Sequence, residues 1–182
     1  MMKKQLITFS LLFISTSILS QVRVTTNFRE FEGENYSINY LSPWSLIPES
    51  NAASSQEFQI FAEANSSELD KVRESVRLLI TPHNREKTMS TYVVGFIKRL
   101  KKRHKSTKFL TNQGYYVKST SFNEYVHELV YTVNSDNKIG KEKIIFFKRD
   151  DKIYVFIYSS SETEYNKYLT SADFIIQSFS FK

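Results

Sequence analysis

Cysteine is missing altogether, so no disulfide braces this chain and no thiol is present to hold a metal or attack a substrate. The same absence removes the residue on which a bacterial lipoprotein carries its lipid. Glycine occurs four times and proline three, too few for a flexible linker between domains, and no glycine-rich phosphate loop is present. Only three histidines occur, His83, His104 and His127, and none lies in a spacing such as HExxH that builds a metal site. Serines are plentiful, yet no GxSxG elbow or SxxK pair places one beside a base. These absences leave no catalytic residue, no metal site and no cofactor to expect.

What is present starts at the N-terminus. Lys3 and Lys4 precede an apolar run from Leu6 to Leu19 that Thr8, Ser10, Ser15, Thr16 and Ser17 interrupt. That is the charged and apolar pair of regions of a secretory signal, and it is shorter than the roughly 20 apolar residues that span a bilayer. Cleavage after Ser20 would leave Gln21 as the new terminus. The expectation is a signal peptide over residues 1–20, one domain over 21–182, and an exported protein, periplasmic or extracellular, that is not a lipoprotein. A domain of that length buries roughly 68–70% of its unfolded surface and needs no covalent staple. The 15 Phe, 11 Tyr and single Trp44 supply the bulk for such a core.

Periodicity locates the elements. Tyr36–Tyr40 alternates aromatic or branched residues with small polar ones and ends at a Ser42-Pro43-Trp44 turn. Phe58–Phe61 forms a second strand, and Val76, Leu78 and Ile80 alternate through a third that Pro82 stops. Ser90 is the expected cap of a helix whose Val93, Phe96, Ile97, Leu100 and His104 share one face. Beyond Gly114, strands are expected over Tyr115–Lys118 and Tyr125–Val133, then a turn over 134–140. Lys143–Phe147 and Ile153–Tyr158 make a hairpin about the turn Arg149-Asp150-Asp151-Lys152. Both of those strands are apolar without alternation, so both of their faces are covered. Ser161 and Glu164 have the spacing of a capping box for a last helix with Tyr165, Tyr168, Leu169, Ala172, Ile176 and Phe179 on one stripe. Thr170 and Ser171 could divide it.

In this order the segments EGENYSINYLSPW, SVRLLITP, MSTYVVGFIKRL and KIYVFIYSS with YNKYL and IIQSFSF resemble the PsbP-like and DcrB-like families, over about Phe31 to Phe181. The resemblance implies an α+β fold: an α/β/α sandwich whose central, largely antiparallel sheet of about six or seven strands is flanked by helices. It also implies a non-enzymatic, exported or lumenal protein that docks onto a larger assembly. No residue set matches a photosystem-docking motif, so that role does not carry over.

Lys3 and Lys4 lie in the signal, so 23 basic residues remain against 19 acidic ones in 21–182, a net charge of +4. The excess is concentrated. Lys98, Arg99, Lys101, Lys102, Arg103, Lys105 and Lys108 place seven cations within eleven residues with no acid among them. A helix C-terminus favours cations at about 0.3–1 kcal/mol each, which is the structural explanation. The functional one is a patch that meets an anionic surface or protein assembly of unidentified kind. Nucleic acid is not expected, since no aromatics interleave the cations to stack bases. His127, between Tyr125 and Leu129 on a strand, is the histidine best placed for chemistry, and a satisfied histidine at the core edge is its bland counterpart. The expected function is therefore a non-enzymatic accessory or binding module; the alternative is a hydrolase or other enzyme with an unrecognised active site. Exported protein should begin within a few residues of Gln21 and melt identically with and without reductant. N-terminal sequencing that returns Met1 from exported material would overturn the processing expectation.

Overall fold

The computed structural model describes residues 27–48, 56–63, 73–83, 87–118, 123–135 and 138–182. The expected signal peptide, residues 1–20, lies outside them. Two sheets form. In the larger, β3 (Ser45–Pro48), β4 (Gln56–Phe61), β5 (Ser75–Pro82), β9 (Lys152–Ser161), β8 (Lys138–Arg149), β7 (Asn123–Ser135) and β6 (Lys108–Lys118) lie side by side in that order. Every neighbouring pair is antiparallel. The smaller sheet pairs β1 (Phe28–Glu32) and the two-residue β10 (Ser180–Phe181) on either side of β2 (Tyr36–Leu41). Helix α1 (Met89–Arg103) joins β5 to β6, and α2 (Tyr165–Gln177) follows β9. The fold class is α+β, built on a seven-stranded antiparallel sheet.

Strand alternation sorts the core into two sets. Val76, Leu78, Val126, Phe147, Tyr154, Phe156 and Tyr158 pack with Tyr165, Ala172, Ile175 and Ile176 of α2 and with Tyr36 and Ile38 of β2. Leu129, Tyr131, Ile144, Phe146, Ile153, Val155 and Ile157 pack with Val93, Phe96, Ile97 and Leu100 of α1. The six consecutive buried residues Ile153–Tyr158 are the result, because alternate side chains of β9 serve different sets. Side chains such as Phe58, Phe156 and Tyr158 are essentially inaccessible, and burying each apolar ring contributes about 1.5–3 kcal/mol. That is how a chain without disulfides is held.

The differences from the sequence expectation have physical causes. β1, β3 and β10 are short or carry exposed side chains, so no alternation announces them. β6 begins at Lys108, not after Gly114, and passes through that glycine. A Cβ on Gly114 would fall 1.8 Å from the Tyr125 hydroxyl, so glycine here makes room for a ring from the neighbouring strand. β7 and β8 extend to Ser135 and from Lys138, which shortens the expected 134–140 turn. Thr170 and Ser171 do not divide α2, which runs unbroken to Gln177 and leaves Phe179 buried beyond its end. The capping box is half formed: the Glu164 amide donates to Ser161 Oγ at 3.3 Å, while Glu164 itself is the N-cap. At the other end Ser178 Oγ donates to Asn39 O and accepts from Asn39 N, both at 2.9 Å, fastening α2 to β2.

Trp44 closes the corner after β2. Its amide donates to Leu41 O at 2.8 Å, and the indole stands edge-on to Tyr168 of α2 at 6.2 Å between ring centroids. It is 4% exposed. Trp44→Ala should therefore cost about 3–5 kcal/mol in denaturant unfolding; a loss below about 1 kcal/mol would mean that the indole contributes no packing.

Candidate functional site

The site starts from the way α1 is capped at each end. Thr88 is extended and its Oγ1 accepts from the Thr91 amide at 3.2 Å, so Thr88, not Ser90, is the N-cap. Both hydroxyl residues have the chemistry of a cap, and Thr88 is the one whose side chain meets a free amide, with Ser90 already inside the helix. The stripe of Val93, Phe96, Ile97 and Leu100 lies on the sheet, and Phe96 meets Phe146 edge-on at 5.3 Å. That orientation turns the cations outward.

The helix stops at Arg103 because His104 turns extended as its C-cap, its amide still donating to Leu100 O at 2.8 Å. His104 thus ends the helix instead of extending its apolar face. Thr107 Oγ1 donates to His104 O at 2.6 Å. Ser106 Oγ donates to Asn134 O at 2.9 Å and accepts from Asn134 N at 3.2 Å, which ties the turn before β6 to β7.

Lys98, Arg99, Lys101, Lys102, Arg103, Lys105 and Lys108 are all exposed on this fixed end. None forms an ion pair with a described acidic residue. The Lys101 ammonium sits 5.4 Å from the centre of the Phe109 ring, linking the helix end to β6. Only Lys101, Lys102 and Arg103 occupy the last turn, where the dipole acts. It does not account for Lys98, Arg99, Lys105 and Lys108.

Over the sheet, several charged groups are neutralised within the fold. Tyr131, Glu142, Ser159 and Ser75 lie in one row across β7, β8, β9 and β5. Glu142 takes hydrogen bonds from the Tyr131 hydroxyl and from Ser159 Oγ at 3.0 Å, with Arg77 at 3.8 Å. Burial, reinforced by the Glu142 charge, raises the Tyr131 pKa far above the ordinary phenol value, so its proton stays in place. With the opposite alternation, Tyr115 donates to Glu128 at 3.0 Å, and Lys143 bridges Glu128 at 3.5 Å and Asp173 of α2 at 2.8 Å. Burial first, and then Glu128, pushes Tyr115 up to about 12. No periodicity could have revealed these clusters, because their members meet only through sheet register.

The histidines do not converge. His127 Nε2 is 2.7 Å from Asn112 Oδ1, and burial lowers its pKa. Glu128, its sequence neighbour, engages Tyr115 and Lys143 instead. His83 is buried, neither ring nitrogen is hydrogen-bonded among the described residues, and the ring lies 5.5 Å from that of Tyr92. Asp150 and Asp151 are exposed in the β8–β9 turn, and Asp150 takes the left-handed conformation, φ 52°, that the tight hairpin requires. The turn borders an open concavity of about 330 Å³ lined also by Arg149, Tyr154 and Phe181. Among the described residues that line it there is no serine, cysteine or histidine. Ser159, Ser160 and Ser161 are committed to Glu142, Glu74 and the α2 cap. Among the described residues no group of three His, Cys, Asp or Glu could hold a metal ion, and no helix is long and apolar enough to cross a membrane.

No family model and no curated protein matches the sequence. Solved structures do match the fold. The solution structure of cyanobacterial PsbP (CyanoP) from Synechocystis sp. PCC 6803 superposes with a TM-score of 0.60 at 15% identity, over 89% of this chain and 96% of that one. PA94 of Pseudomonas aeruginosa, a protein of unknown function, gives 0.57 at 9% identity over 82% and 94%. LpqN of Mycobacterium tuberculosis, involved in cell envelope biogenesis, gives 0.52 at 12% identity over 85% and 91%. The chain thus has a PsbP-like fold, in agreement with the resemblance read from its segments.

The environment of His83 makes stability depend on pH. Burial, and then the Lys148 charge, lowers its pKa below the ordinary 6.5, with Asp151 opposing. The folded chain holds the neutral ring and the unfolded chain binds the proton more readily. Its contribution is therefore complete above about pH 6.5 and is lost as pH falls below that value. Denaturant midpoints at pH 7.5 and 5.5 should differ less for His83→Gln than for the wild type; an unchanged difference would remove His83 as the cause.

Proposed function

We propose that residues 21–182 form an exported, non-enzymatic binding module, an α/β/α sandwich that presents the basic end of α1 to an anionic partner. One observation carries this reading: seven exposed cations, without an acidic partner among the described residues, lie on a terminus that hydrogen bonds hold in place, while the carboxylates of Glu128, Glu142 and Asp173 are engaged inside the fold. Unpaired like charges repel one another, and the macrodipole offsets that repulsion only in the last turn. An anionic partner would offset it across the whole patch. The fold is shared with LpqN, a protein involved in cell envelope biogenesis, and a role outside the cytoplasm accords with that likeness.

Lys98, Lys102 and Lys105 point into solvent, so replacing all three by Gln should leave the melting temperature nearly unchanged. The same variant should bind phosphatidylglycerol vesicles and polyglutamate about tenfold more weakly than the wild type at low salt. Wild-type binding should fade between about 0.05 and 0.5 M salt, as the Debye length falls well below about 10 Å. A wild-type protein that ignores both probes at low salt would overturn the proposal.

A further inference from the structure

The larger sheet has two edges, and they are treated differently. β3 is four residues long and ends in Pro48, which is how an edge is protected from pairing with another chain. β6 is eleven residues long, contains no proline, and among the described residues nothing pairs with its outer side. A register shift between Phe109 and Thr111 interrupts only its start. From Thr111 to Val117 the pairing with β7 is regular, so the opposite side offers outward N–H and C=O groups over about 23 Å. Tyr116 is 72% exposed there.

Charge decides what fits this edge. β6 carries no acidic residue and begins and ends in lysine. A second copy added antiparallel about Gln113 would set Lys108 against the lysine that ends the partner strand, so self-pairing is disfavoured. The edge also starts beside the basic helix end, through Lys101 on Phe109 and exposed Lys105. We infer that β6 is a strand-pairing site for an extended acidic segment of another protein, whose backbone completes the sheet and whose carboxylates meet Lys108 and the end of α1. Main-chain bonds would supply affinity whatever the side chains, and the cations would select acidic sequences. This rests on the reading of the basic end as an anion site and adds the edge to it. Lipid headgroups can meet the cations but have no backbone to add to a strand.

The test uses the wild-type protein and a capped eight-residue peptide alternating glutamate with valine, with two further versions N-methylated on one or the other set of alternate amides. The parent peptide should bind at low salt and slow amide exchange within Thr111–Val117 by about tenfold or more. One methylated version should bind about tenfold more weakly than the parent, because it loses the donors facing β6, and the other should bind nearly as well. Equal binding by all three peptides, or binding without slower exchange in β6, overturns strand pairing. Loss of peptide binding in the Lys98, Lys102 and Lys105 variant without any effect on β6 exchange in the wild type overturns it too, while leaving the anion-binding reading intact. Slower exchange in β6 that survives in that variant supports the edge and places its charge selection at Lys108.

Discussion

Burial of β9 on both of its faces is the constraint from which the rest of the architecture follows. A strand whose alternate side chains enter different hydrophobic sets cannot leave either set open to water. Tyr154, Phe156 and Tyr158 must be covered by α2 and the small sheet, and Ile153, Val155 and Ile157 by α1. β9 also pairs with β5 on one side and β8 on the other, so two segments far apart in sequence are forced into register through it. The small sheet exists for the same reason. A helix of thirteen residues does not reach across the whole face, and Tyr36, Ile38 and Phe179 fill what it leaves.

That constraint was legible in the sequence, because a run of six apolar residues in a strand has no other economical explanation. So were the central strands, both helices and the outward direction of the basic residues, since each depends on a local period. What depends on register was not. Tyr131 and Glu142 are eleven positions apart, yet they are direct cross-strand partners, and Ser159 joins them only because the β8–β9 turn has the length it has. The start of β6 was hidden differently: an edge strand with exposed polar positions has no reason to alternate. The cap of α1 was misplaced by two residues because Thr88 and Ser90 both carry a hydroxyl able to accept from a free amide just ahead of the apolar stripe.

The contrast between satisfied and unsatisfied charge carries the functional argument further than any single residue. Where an acid sits over the sheet, the fold supplies hydroxyls or cations to it, as at Glu142 and Glu128. Such networks hold strands in one register, with each acid engaged by hydroxyls or cations over the sheet. The end of α1 is the opposite case. Its cations have no acidic partner among the described residues, although the turn beneath them is fastened by Ser106 and Asn134.

A rigid support beneath unpaired charge is what recognition requires, since groups already held in place lose little freedom when a partner arrives. The adjoining sheet edge has the same character. Its outward backbone groups are fixed by pairing with β7 on the inner side, and its lysines set a second copy against itself. Blunting β3 with a proline while leaving β6 long is costly for solubility unless charge restricts what can add to it. Under the proposed reading, the positive end of α1 and the acid-free sequence of β6 act on the same choice: repelling the chain's own copies and favouring a partner of the opposite sign.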